Sequence, residues 1–216
     1  MLTDGFTSPG FSIGKEAQKM TAESTRAPAH TVQPAIPAGL TTPFYYSSLS
    51  NIVVHYLVDN VSKNGYLLLN VGPRPDGTIP EQGYELLKGI GTWLEVNGES
   101  IYGTTNWTTY GEGPTQMEKG GSFNEKEIAG FTAKDVRFTV KDNILYATCL
   151  GWPGAEITVE TLQLLYPAEI RSVTMLGSDQ ELKWSLNDAG MTIETPAQRP
   201  CEHAYVFKIV RGQPYT

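Results

Sequence analysis

Two cysteines in 216 residues are too few for a disulfide framework, and Cys149 and Cys201 lie too far apart in sequence for a metal-ligand pair. Free buried thiols are the expected state, with a disulfide left for geometry to decide. Long apolar runs are also missing: none approaches the roughly 20 residues that would cross a bilayer. Positive charge is in deficit, with 16 Lys and Arg against 23 Asp and Glu and a net charge of −7. That balance removes the electrostatic footprint expected of a nucleic-acid or anionic-membrane partner. The opening stretch, "MLTDGFTSPGFSIGKEAQ", has neither a basic n-region nor an apolar h-region. No signal peptide is therefore expected, and the expected location is cytoplasmic or leaderless.

What is present is enough hydrophobic material, 40% of the chain, to bury a sizeable core as one large domain or two small ones. Residues 1–43 are rich in Ala, Thr, Ser and Pro, and Pro28, Pro34, Pro37 and Pro43 break any periodicity. They are expected to form an irregular or partly disordered arm, with a short helix around Gly14–Ala22 its only regular element. From Ser50, a plausible N-cap, Ile52, Val53, Tyr56, Leu57 and Val61 form a helical apolar stripe that Asn64-Gly65 should end. Tyr66–Val71, with three consecutive leucines, reads as a strand buried on both faces, as in a parallel sheet. Pro80 then opens a second helix with Leu86, Leu87, Ile90, Trp93 and Leu94 on one face, stopped by Asn97-Gly98.

From about Thr109 the pattern becomes all-β. "DVRFTVKD" alternates Val136, Phe138 and Val140 with Arg137, Thr139 and Lys141, and Asp142-Asn143 suits a hairpin turn. "NILYATCLG", "AEITVETL", "EIRSVTMLG", "ELKWSLN", "GMTIETP" and "HAYVFKIVR" follow at the spacing of sandwich strands. The expected class is α+β, a fragment of a (β/α) barrel (helix-strand-helix, 44–108) followed by an antiparallel β-sandwich (109–216). A lone parallel-type strand poses the problem of where its neighbours are.

"LVDNVSKNGYLLLNVGPRPDGTIP", "IGTWLEVNGESIYGTTNW" and "YGEGPT" resemble the C-terminal part of the retaining α-L-fucosidases, glycoside hydrolase family 29, and so do "RFTVKDNILYATCLGWP" and "SVTMLGSDQELKW" in the sandwich. The resemblance covers about residues 49–216. It implies a last barrel strand with flanking helices, whose neighbours come from the preceding barrel, and then the family's sandwich. It implies retaining hydrolysis or transfer of terminal α-L-fucosyl groups on a fucosylated oligosaccharide or glycoside, with no metal or organic cofactor. The family's catalytic aspartate and glutamate lie upstream of the matched region. Its pocket-lining aromatic stretch precedes the "VSKNG" helix, where this chain has Phe44, Tyr45 and Tyr46.

Retaining hydrolysis needs two carboxyl groups about 5–5.5 Å apart, one ionised and one protonated. In a barrel they sit beyond the C-terminal ends of strands. Here that position is the loop "NVGPRPDGTIPE", which offers Asp76 and Glu81 as catalytic candidates and Asn70 and Arg74 as substrate contacts. Each has a plainer role available: Asp76-Gly77 suits a turn, Glu81 a helix first turn, Arg74 a solvated cation. Glu95, Glu99 and Glu112 read as linker charges, His55 as a helix histidine, and His30 and His203 as isolated. Trp107, Tyr110 and Trp152 suit either sugar stacking or sandwich core. Asn60-Val-Ser and Asn106-Trp-Thr match the glycosylation pattern, the first inside a helix. A non-catalytic, carbohydrate-contacting remnant stays open beside the enzyme. In either case the barrel-type surfaces should drive self-association into a closed symmetric oligomer.

Overall fold

The computed structural model describes residues 30–32, 43–115 and 130–212. The expected helix at 14–22 lies outside the described residues. Along the chain run β1 (His30–Val32), α1 (Pro43–Ser62), β2 (Leu67–Leu69), α2 (Glu81–Asn97), a 3-10 turn (Gly98–Ser100), β3 (Thr105–Glu112), β4 (Val136–Lys141), β5 (Ile144–Cys149), β6 (Glu156–Val159), β7 (Ile170–Met175), β8 (Trp184–Asn187), β9 (Gly190–Glu194) and β10 (Tyr205–Arg211).

Helix α1 starts at Pro43, where a missing N–H costs nothing, and Ser50 is not its N-cap. Ser50 is instead buried inside the helix, its hydroxyl directed at the Leu86 carbonyl of α2 at 3.5 Å. The C-terminal signal holds: Asn64 takes φ 60°, and the Gly65 amide returns to the Asn60 carbonyl at 2.8 Å. Helix α2 follows Pro80 directly and ends at Asn97, but Gly98 keeps a right-handed conformation and the chain tightens into the 3-10 turn. The lack of a side chain at Gly98 leaves room for Tyr102, whose ring would lie 2.8 Å from a Cβ there.

The leucine strand has a neighbour after all. Strand β1, inside the stretch expected to be irregular, pairs with β2 in parallel, His30 opposite Leu67 and Val32 opposite Leu69. A three-residue His-Thr-Val strand between prolines carries no periodicity to detect. Strand β2 is also shorter than Tyr66–Val71, and its three leucines are half-buried, not enclosed on both faces.

The sandwich packs a five-stranded sheet, order β3-β4-β5-β10-β7, on a three-stranded sheet, order β6-β9-β8. All seven expected runs form strands, with Asp142 at φ 52° in the β4–β5 turn. Strand β3 begins earlier than the expected all-β boundary because "TNWTTYGE" is half polar and only one of its faces is partly covered. Between the sheets, Phe138, Leu145, Met175, Met191, Ile193 and Phe207 form the first core.

A second core lies on the other face of the large sheet. Val53, Val54, Leu86, Ile90 and Trp93 of the two helices pack on Tyr146, Leu150, Leu176 and Val206. The Trp93 indole N–H donates to the Ala204 carbonyl at 2.8 Å and fastens α2 to the start of β10. The helices' apolar faces were expected to lie bare for want of a barrel; they are covered by the sandwich instead. Both faces of β4 and β5 are consequently buried, including Arg137, Thr139 and Thr148. Both cysteines are free, Cys149 fully buried and Cys201 half-buried. Among the described residues no helix is long and apolar enough to cross a membrane.

Candidate functional site

Beyond the C-terminal end of β2, the chain leaves half-buried Asn70 and Val71 and runs exposed from Gly72 to Ile79. Its shape comes from local bonds. The Arg74 amide donates to the Thr78 carbonyl at 2.7 Å, and the Gly77 amide to the Arg74 carbonyl at 2.9 Å. Gly77 takes φ 85°, which explains the Asp-Gly pair. Asp76 Oδ1 accepts from both the amide and the hydroxyl of Thr78, at 3.0 and 2.7 Å. These bonds, the backbone one foremost, hold the carboxyl below its ordinary pKa. Arg74 Nη1 reaches the Thr78 hydroxyl at 3.4 Å. Glu81 is exposed in the first turn of α2, where it faces the helix dipole.

The loop thus offers a hydrogen-bonding rim, and its two carboxyl groups are both in water. Nothing around Asp76 supplies burial, and the Thr78 bonds favour its ionised form. Phe44, Tyr45 and Tyr46 occupy the first turn of α1.

The other acidic candidates are engaged elsewhere. Glu112 accepts the amides of Glu160 and Thr161 at 3.0 and 2.6 Å and so ties β3 to the other sheet's connection. Glu99 pairs with Lys208 at 2.7 Å, and Glu95 is exposed on α2. His55 is buried, its Nε2 3.1 Å from the His203 carbonyl and its ring edge-on to Phe131. Burial pushes its pKa down to about 4. Trp107 packs edge-on against Phe138 and Trp152 against Tyr205, which makes both core residues; Tyr110 is 42% exposed beside Lys63 and Arg137. Asn60 is buried, with its amide bonded to the Tyr56 carbonyl, so its sequon is closed, whereas Asn106 is exposed on β3. Among the described residues no group of three His, Cys, Asp or Glu could hold a metal ion.

One buried constellation was not read from the sequence. Asp59 on α1 accepts from Arg137 Nε of β4 and from Lys63, both at 2.6 Å. Arg137 also donates to the carbonyls of Glu112, Val136 and Thr115. Asp135 collects the amides and hydroxyls of Thr115 and Thr132. Arginine in an alternating strand reads as a solvent-facing residue; only the helix seated above it makes it a buried partner.

The model of the family described as Alpha-L-fucosidase matches residues 43–99, and that of the Alpha-L-fucosidase C-terminal domain matches 130–210. The tissue alpha-L-fucosidase of Bos taurus is 35% identical over 165 residues, 73% of this chain and 30% of the relative. The chain belongs to the alpha-L-fucosidase family. The alpha-L-fucosidase of Branchiostoma floridae is 33% identical over 162 residues, 73% of this chain and 32% of that protein. The Thermotoga maritima alpha-fucosidase in complex with fucose superimposes with a TM-score of 0.57 at 31% identity, over 74% of this chain and 34% of that one. The chain spans about a third of the length of the curated alpha-L-fucosidases it matches. The first match ends just past α2 and the second begins just before β4, with β3 between them, so the helices and the sheet residues that share the second core fall in different family matches.

Proposed function

We propose that this chain serves as the C-terminal portion of a retaining α-L-fucosidase acting on terminal α-L-fucosyl groups of a glycan or glycoside. In that role α1, β2 and α2 are the barrel-derived segment, and the sandwich domain that braces it begins with β3 at Thr105, a few residues before the expected boundary at 109. The observation that carries the reading is the ordered pair of family matches on a fold whose helix layer is seated on the sandwich. The rim of half-buried Asn70 and exposed Arg74 and Asp76 then contacts sugar hydroxyls, with Phe44, Tyr45 and Tyr46 as aromatic contacts and Asp76 and Glu81 as the carboxyl candidates. No resident metal or organic cofactor takes part.

Release of para-nitrophenol from an aryl α-L-fucoside tests it, together with the anomer of the sugar set free. Turnover with retained configuration supports the enzyme reading. Activity lost in Asp76→Asn or Glu81→Gln, and restored by azide at one of them, would identify the nucleophile. A second reading, a non-catalytic module that contacts carbohydrate, is favoured by the engagement of Asp76 and Glu112 with backbone amides. Binding of the glycoside without turnover, by the unsubstituted chain alone and also after the upstream barrel part of a family member is added to it, would select it.

Self-association is the finer part of the proposal. The helix faces no longer call for it, but half-exposed Leu67–Leu69 and exposed Ile79 and Tyr84 remain around the small parallel sheet. A second copy offers the same surface and closes the contact by symmetry. Light scattering that gives the mass of a monomer would refute this.

A further inference from the structure

Helix α2 covers the large sheet only as far as Asn97. Past that point the 3-10 turn packs on β4, where the Thr139 hydroxyl donates to the Ser100 carbonyl at 2.8 Å, and a groove of about 700 Å³ is left over the outer face of β7 and β10. Its floor is the cross-strand pair Thr174 and Lys208, which face outward opposite one another. One wall is Glu95, Glu99 and Tyr102; the other is the turn Gly177–Asp179 after β7. The Tyr102 ring is 60% exposed and lies close over Gly98, where a Cβ would stand 2.8 Å from it. The Glu99 carboxylate and Lys208 ammonium stand 2.7 Å apart and are both partly open to water.

We propose that this groove binds a neutral pyranose, as a carbohydrate site separate from the β2 loop. The two sit at opposite ends of a 17-residue helix, about 25 Å apart along its axis. A pyranose has one apolar C–H face and a rim of hydroxyls that donate and accept. An exposed aromatic ring meets the first; a carboxylate beside an ammonium, with the Thr174 and Ser178 hydroxyls, meets the second. Charge narrows the choice. Glu95, Glu99 and Asp179 line the groove against the single ammonium of Lys208, which Glu99 already neutralises, so an anionic sugar or phosphate is repelled. The proposal does not rest on hydrolytic activity.

The test is NMR titration of the full chain with methyl α-L-fucopyranoside, methyl β-D-galactopyranoside and, as the anionic control, sialic acid. Millimolar binding of a neutral glycoside that shifts Tyr102, Glu99 and Lys208 signals is expected. Tyr102→Ala should weaken it by at least about tenfold, whereas Tyr102→Phe, which keeps the ring, should retain it. Tyr102 is exposed, and an unchanged thermal midpoint in both variants shows that the fold is kept. Absence of shifts at these residues, equal binding by Tyr102→Ala, or preference for the anionic sugar would each overturn the proposal. Aryl fucoside turnover, measured in parallel, reports on the β2 loop alone.

Discussion

Asp59 and Arg137 form the most enclosed ion pair of the described residues, and their side chains are 4% and 2% exposed. Removing Arg137 leaves the buried Asp59 carboxylate with only the partly exposed Lys63 and takes the donor from the carbonyls of Glu112, Val136 and Thr115, which together cost about 3–5 kcal/mol. Arg137→Met should lose stability of that order by urea denaturation. Lys63→Met touches the same carboxylate from a side chain that is 28% exposed, and solvent screening limits its loss to about 1 kcal/mol or less. Equal losses would mean that Arg137 contributes only as Lys63 does. His55, packed beside this pair, gives the chain a pH dependence. Burial is the main cause of its low pKa; the His203 carbonyl and Asp135 act in the opposite direction, and Arg137 adds to the lowering. The native ring is neutral, and the unfolded chain takes up a proton near 6.5. Stability should therefore be complete above about pH 6.5 and fall by up to about 1.4 kcal/mol per pH unit toward about pH 4, with no further loss from this group below that. His203, whose pKa burial also lowers, contributes in the same direction. Urea midpoints taken near neutrality and in mild acid should converge in His55→Phe, which keeps a ring against Phe131. An unchanged pH slope would remove His55 as the cause.

At the scale of elements, the closest approach of the two helices sets opposite outcomes for two glycines of α2. A Cβ at Gly89 would stand 2.6 Å from the Ser50 hydroxyl and 3.1 Å from its Cβ, whereas one at Gly91 meets nothing within 4 Å. Gly91→Ala gains helix propensity and should stabilise by about 1 kcal/mol. Gly89→Ala makes the same gain but must push α1 away, and should destabilise by about 1–3 kcal/mol as overpacking does. Thermal midpoints moving in opposite directions check the pair; a rise in both would show that the helices separate freely. The same contact explains an element that sequence misplaced. Ser50 followed by an apolar stripe satisfies every local rule for an N-cap, but its hydroxyl is directed at a neighbouring helix, and the true start at Pro43 precedes a run of aromatics and serines without helical period. Sandwich strands were legible because alternation is written into each run. Strand β1 was not, since three residues cannot show a period and their partner lies 35 or more positions away. In the candidate loop, Pro-Asp-Gly announced the turn that Asp76 makes, because that bond is local.

For the molecule as a whole, the decisive fact is that the centre of the large sheet, β4 and β5, is covered on both faces, and this is the part that strand patterns concealed. Val136 and Phe138 alternate with Arg137 and Thr139 as a sheet with one wet face would, yet all four are buried. Polar residues under a helix layer look like surface residues until the layer is placed, so a barrel-type segment was expected to be bare where it is in fact seated. Trp93 is the center of that seat, 2% exposed and bonded to the Ala204 carbonyl. If the helices were an appendage, Trp93→Ala would melt them and leave the sandwich intact. With one shared core, it should cost the entire unit about 3–5 kcal/mol. The chain has four tryptophans, and the other three, Trp107, Trp152 and Trp184, all lie in the sandwich, so fluorescence of the variant reports the sheets alone while circular dichroism at the helical band reports α1 and α2. Both midpoints should fall together. A helical signal lost early, with the tryptophan transition unmoved, would separate the two layers and leave the sandwich as an independent domain.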